Sequence, residues 1–390
     1  MSGPAAREPA ADATVAPVAA GTAPPEWALL PDAPDAAALP PDGHGAPPGP
    51  PAHRARLLPW LWILATAGAG ALFFGQAETA LLVAVAGLFV SAQAADLDER
   101  WAGLHRLLAW VVPAGAALVF VALAQVLLTG DLAAPLRLGI GALAFLGAAV
   151  SLLAGVPPVA DRLARLCFRT PASGHTLRLA AQLVLAGLLL CVPAWFALRQ
   201  SLDAILERPD AFITPGGLGG GLLGYVVLAF AAVGFLVRRS WPEALERLGL
   251  RRFARGNLIV IAAGVAALWL FNGATEGLQK VLFPVLWQAD QAFTSALAEH
   301  LSMPQLVLLG LSAGIGEEIT IRGALQPRLG IVLSSLLFAA LHVQYSWYGL
   351  VVIFALGLLL GAIRRRAGTT VAMTVHALYD ILAVVTATGP

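Results

Sequence analysis

Downstream of residue 56 the chain repeats one pattern: apolar stretches of roughly 18 or more residues with almost no charge, parted by short connections that carry arginine. A stretch of that length, wound as a helix, crosses the ~30 Å hydrocarbon layer of a bilayer. Within lipid every backbone N–H and C=O must find its partner inside the protein, and a run of apolar residues without alternation does so only as a helix. Hydrophobic residues make up 58% of the sequence and charged ones 12%, against about 25% charged for a soluble domain. The sequence therefore predicts an all-α, polytopic membrane helix bundle and excludes a soluble globular enzyme.

The spans fall at about 58–75, 78–95, 107–129, 133–156, 177–198, 217–238, 257–272, 304–326, 330–345, 347–363 and 369–387, about 11 transmembrane helices. Placing the N-terminus in the cytoplasm puts 20 of the 24 basic residues on one side, leaving Arg137, Arg199, Arg208 and Lys280 at the other face. That asymmetry is the positive-inside pattern of a multi-pass protein of the plasma (inner) membrane. Residues 1–56 hold 13 of the 27 prolines; with so little apolar surface to bury, they read as a disordered cytoplasmic tail. Residues 57–239 read as accessory transmembrane helices, 240–256 as an interfacial amphipathic linker on anionic lipid, and 257–390 as the core that carries chemistry. In the linker, Ser240 and Glu243 form a capping box with Pro242 in the first turn. Residues 273–303 read as a long outer loop with a short helix around 284–298.

Charge inside the last spans is the next signal. Glu317, Glu318 and Arg322 lie in an apolar helix, where each ionisable group costs about 2.5–3.5 kcal/mol. Glu318 and Arg322, four apart, share a helix face and suit a neutralising ion pair. Glu317 is turned about 100° from Glu318 and is left to face elsewhere. His376 and Asp380 are likewise four apart on the last span, and His342 closes the span that begins near Gly330. Counted at about 1.5 Å per residue, these groups fall at similar depths, nearer the middle of the membrane than its surface. A carboxylate and an imidazole there can activate water, while a second histidine and an aspartate orient or stabilise an oxyanion. Alternatively, two histidines and Glu317 could hold zinc as a three-ligand site with one open position. A plainer reading makes the same residues polar glue between helices.

Three motifs carry a resemblance. Glu317-Glu318-Ile-Thr-Ile-Arg322 fits EExxxR, Phe338-Ala-Ala-Leu-His342 fits FxxxH, and His376-Ala-Leu-Tyr-Asp380 fits HxxxN/D. In this order, on membrane helices, they resemble the CPBP intramembrane proteases, which include the type II CAAX prenyl endopeptidases. The likeness covers roughly residues 300–387. It implies an intramembrane endopeptidase acting on a membrane-associated protein or peptide: Glu317 as general base, His342 its partner on the water, His376 and Asp380 supporting the oxyanion, and Glu318 with Arg322 structural. Members are described both as metalloproteases and as metal-free Glu/His enzymes, so zinc stays open. Asp380 stands where many members carry Asn, and Ile321 where an aromatic often precedes the arginine. Two alternatives of another class remain: a catalytically silent membrane scaffold, and a proton-coupled carrier using Glu317 and His342 as relays. The latter has no duplicated halves to support it.

Other signals resolve to packing. Gly310-Leu-Ser312-Ala-Gly314 matches GxSxG, but that elbow needs a strand-to-helix turn and here it lies in a helix. The glycines of 216–221 lack the Lys-Ser/Thr of a phosphate loop and suit close helix contact. Cys167, read in a basic loop, and Cys191, in a span, form neither disulfide framework nor metal cluster. His44, His53, His105, His175 and His300 are expected at solvated loops or helix ends. A net charge of +1 gives no reason to expect a nucleic-acid partner; the lipid bilayer and a membrane-associated substrate are the partners expected.

Overall fold

The computed structural model describes residues 57–170 and 174–387, which belong to one compact unit. The proline-rich tail, with His44 and His53, lies outside the described residues. The order is α1 (Leu57–Phe73), α2 (Ala77–Leu97), α3 (Ala102–Leu108), α4 (Val111–Thr129), α5 (Ala134–Ala154), α6 (Pro157–Phe168), α7 (His175–Arg199) and α8 (Leu202–Glu207). It continues with α9 (Pro215–Val233), α10 (Trp241–Leu248), α11 (Arg255–Leu282), α12 (Pro284–His300) and α13 (Met303–Glu318). A π-helical segment, Ile319–Leu325, joins α13 to α14 (Gln326–Ala340), followed by α15 (Trp347–Ala367) and α16 (Thr369–Ala387). No strand occurs among the described residues, so the protein is an all-α, multi-pass membrane bundle.

Nine helical runs among the described residues are long and apolar enough to cross a bilayer, against the eleven expected. Two local facts account for the difference. The first helix, Leu57–Phe73, is apolar but has only 17 residues. Met303–Ala340 runs on as a single stretch of 38 residues, although Gly330, at φ 77° and ψ 170°, breaks its helical path. That φ is one glycine adopts without a Cβ clash. Of 273–303, expected as an outer loop with a short helix around 284–298, the helix is present as α12, while the loop is corrected: α11 continues to Leu282. Cys167 also lies in a helix, α6, rather than a loop.

Close approach is set by glycine at the crossing of α13 and α16. A Cβ on Gly314 would stand 2.3 Å from the Ala377 backbone nitrogen, and one on Gly310 would stand 3.0 Å from that of Ile381. Small residues at four-residue spacing let membrane helices touch along their backbones. Ser312, the serine of the GxSxG match, is buried and donates to Leu218 O at 2.9 Å. It serves the contact with α9.

One hydrophobic cluster runs through both the N-terminal helices and the C-terminal ones, joining Leu179 and Val184 of α7, Leu228 and Phe230 of α9, Leu248 of α10, and Leu337 and Phe338 of α14. The capping box of Ser240 and Glu243 begins α10. Within 240–256, expected as an interfacial linker on lipid, Leu248 is wholly buried, and Arg247 donates to Gly323 O and Ala324 O at 3.1 Å each. The apolar face of α10 thus packs on the π segment, while Phe253 remains exposed.

Candidate active site

All six polar residues singled out in the sequence meet where α13, its π continuation, α14 and α16 converge. Glu318 and Arg322 pair at 3.4 Å, Oε2 to Nε, with both side chains fully buried. Arg322 also lies over the Phe338 ring, 4.9 Å from guanidinium carbon to centroid. A buried cation of this kind needs both a carboxylate and a π face to offset its lost hydration.

Glu318 turns its other oxygen toward α16. His376 Nδ1 lies 3.3 Å from Glu318 Oε1, and His376 Nε2 lies 3.3 Å from Asp380 Oδ2. The imidazole is therefore clasped by a carboxylate at each ring nitrogen. These 3.3 Å approaches set the orientation of the ring between the two carboxylates.

Glu317 faces the other way, as its 100° offset requires. Its Oε2 lies 3.7 Å from His342 Nε2. His342 Nδ1 stands 2.7 Å from Phe338 O. A carbonyl can only accept, so Nδ1 carries a hydrogen, and Nε2 is the nitrogen turned toward Glu317. Phe338 packs against His342, with ring centroids 4.6 Å apart, and against His376 at 5.8 Å. One aromatic side chain thus separates and orients both histidines.

The loop that carries His342 is pinned from three other helices. Asp290 of α12 accepts from Ser346 N and from Ser346 Oγ, each at 2.6 Å, and from Gln279 Nε2 at 2.7 Å. From α7, Trp195 Nε1 donates to Tyr345 O at 2.7 Å and Arg199 donates to Gln344 O at 2.9 Å. Sequence reasoning does not mark Asp290, Trp195 or Arg199. Asp290 carries a signal, a lone carboxylate in a mostly apolar segment; Trp195 and Arg199 carry none, since both resemble ordinary residues of a membrane-helix end. The π segment escapes the sequence as well. Such segments often occur at functional sites, and no residue preference announces one.

Zinc would need three donors converging on one point. His376 has a carboxylate beside each ring nitrogen, and no group of three or more His, Cys, Asp or Glu side chains among the described residues is arranged to hold a metal. The donor set does not fit zinc as it stands.

Residues 299–382 match the family model of the type II CAAX prenyl endopeptidases, Rce1-like. That segment is similar to this family of endopeptidases, and it contains all six residues. Over 158 residues the chain is 28% identical to YpbD of Bacillus subtilis, an uncharacterised protein, covering 40% of this chain and 80% of YpbD. No solved structure matches the chain.

Proposed function

We propose that the protein is an intramembrane endopeptidase in which Glu317 and His342 activate the attacking water. The observation that carries this is their 3.7 Å approach, too long for a direct hydrogen bond and suited to one water held between them. Each offers an acceptor, Glu317 an oxygen and His342 the Nε2 lone pair, so the two water hydrogens are held and the oxygen lone pair is turned outward. Glu317 takes a proton as the water oxygen attacks the carbonyl carbon, then returns it to the leaving amine.

His376 supports the developing oxyanion by sharing its Nε2–H between the oxyanion and Asp380 Oδ2, 3.3 Å away. An ionised Asp380 has no hydrogen to give, so its role is to orient the ring. Glu318 and Arg322 are structural, fixing the other edge of His376. No step requires a metal.

The substrate is a protein or peptide presented at the membrane. The protein sits in the plasma (inner) membrane with its N-terminus inside, a reading supported by the 20 of 24 basic residues that then face the cytoplasm.

The test is cleavage of a membrane-tethered peptide library by purified protein in lipid, with and without chelator. Glu317→Gln and His342→Ala should each lower cleavage about 10²–10⁴-fold with helicity and thermal stability retained. Equal background from wild type and both folded variants would leave the silent scaffold as the reading.

A further inference from the structure

A second cluster of protonatable side chains lies at the ends of α3, α4, α6 and α7, within the N-terminal helices. It lines a cavity of about 160 Å³. His105, Arg106, His175 and Arg178 contribute to the wall, and no carboxylate does. The sequence places both histidines in solvent; instead His105 is 2% exposed, and the two rings meet edge to face at 4.8 Å.

The surroundings fix these groups without neutralising them all. His105 Nδ1 stands 3.1 Å from Ser91 Oγ, which itself donates to Leu88 O at 2.8 Å. Arg178 is aligned by Asp161 at 2.5 Å. Asp96 accepts from His175 N at 2.6 Å, from Thr176 Oγ1 at 2.7 Å and from Arg238 at 2.9 Å. The first turn of α7 is thus already capped, and the cavity's cationic character comes from side chains. Arg106 forms no ion pair among the described residues.

The residues around the cavity suit a bilayer interface. The cavity opens where α5 ends and α7 begins, beside α6, a short helix with arginines on one side. Leu107 of α3 and Leu166 of α6 are exposed, and Trp110 and Pro157 line the cavity. Tryptophan and arginine together mark the headgroup level of a bilayer, and basic pockets between membrane helices take anionic headgroups.

We propose that this cavity binds a phosphate ester anion, with the guanidiniums of Arg106 and Arg178 and the His175 ring as its donors. The apolar wall of Trp110 and Pro157 suits the glycerol of a phospholipid headgroup; a free phosphate ester would use the same donors. Charge-assisted N–H···O bonds to phosphate are the strong class of hydrogen bond, and an anion relieves the mutual repulsion of the cations.

The experiment uses the full chain in detergent micelles and native mass spectrometry, with phosphatidylglycerol and phosphatidylcholine added at equal dose. Inorganic phosphate and glycerol 3-phosphate are the competitors. Phosphatidylglycerol should be retained preferentially, and Arg106→Gln and His175→Gln should each weaken retention, by about fivefold for the lost guanidinium. Arg137→Gln, roughly 26 Å away near the opposite end of α5, should leave it unchanged. Displacement by glycerol 3-phosphate or phosphate identifies a site that also accepts soluble esters; displacement only by lipid identifies a headgroup site. Equal retention of both lipids with no effect of either competitor, or retention unchanged in both variants, overturns the proposal. Binding is read without cleavage, so its failure and that of the peptidase reading are separable.

Discussion

Arg322 and Glu318 stand one helical turn apart, Nε to Oε2 at 3.4 Å, with neither side chain reaching solvent. Removing one partner of such a pair strands the other charge, at about 3–5 kcal/mol. Arg322→Met and Glu318→Gln should therefore each lower the thermal unfolding temperature in detergent by many degrees. The double variant should recover part of the loss, because no buried charge is then left alone. Losses that simply add in the double variant would show that the pair does not act as a unit.

Gly314 decides whether α13 and α16 can touch. A Cβ there would stand 2.3 Å from Ala377 N, and the obstacle is backbone, which cannot rotate aside. Gly314→Ala should destabilise by about 1–3 kcal/mol and reduce cleavage, since α16 carries His376 and Asp380. The contrast is Gly256→Ala, where a Cβ meets nothing within 4 Å and both stability and cleavage should hold. Thermal unfolding and cleavage measured on the two variants check the difference.

The fold class was legible because uncharged stretches long enough to span leave helices as the structural choice, and the site because charge is conspicuous in such stretches. Spacing alone set Glu318 on Arg322 and His376 beside Asp380, each four residues apart on a helix. What spacing within one helix cannot show is which helices cross. The approach of Glu317 to His342, and of Glu318 to His376, depends on the α13–α16 contact and on the loop after α14. The burial of His105 was hidden for the same reason: a histidine near a helix end looks solvated until α6 and α7 are seen to fold over it.

The loop bearing His342 offers a test of positioning from a distance. Asp290 holds Ser346 through two hydrogen bonds of 2.6 Å, four residues beyond the histidine, without itself belonging to the Glu317–His342 pair. Asp290→Ala should lower kcat by up to about 10²-fold through misplacement of His342, with a smaller effect on KM. Asp290→Asn keeps one accepting oxygen and should restore part of the rate. A loss of kcat equal in Ala and Asn variants would assign Asp290 a role other than holding the loop.

Asp380 separates two ways of supporting an oxyanion. If it orients His376, what matters is an acceptor opposite Nε2, now 3.3 Å from its Oδ2. An asparagine at this position would keep a carbonyl oxygen there, with Glu318 still gripping Nδ1, and its amide would add a donor. Asp380→Asn should therefore hold cleavage within about tenfold of wild type, whereas Asp380→Ala, which removes the acceptor and frees the ring, should lose about 10–100-fold, the scale of a lost orienting partner. Single-turnover cleavage of one membrane-tethered peptide by the three proteins makes the comparison. Equal loss in Asn and Ala variants would mean that the negative charge itself, rather than the ring's orientation, is what the reaction needs from this position.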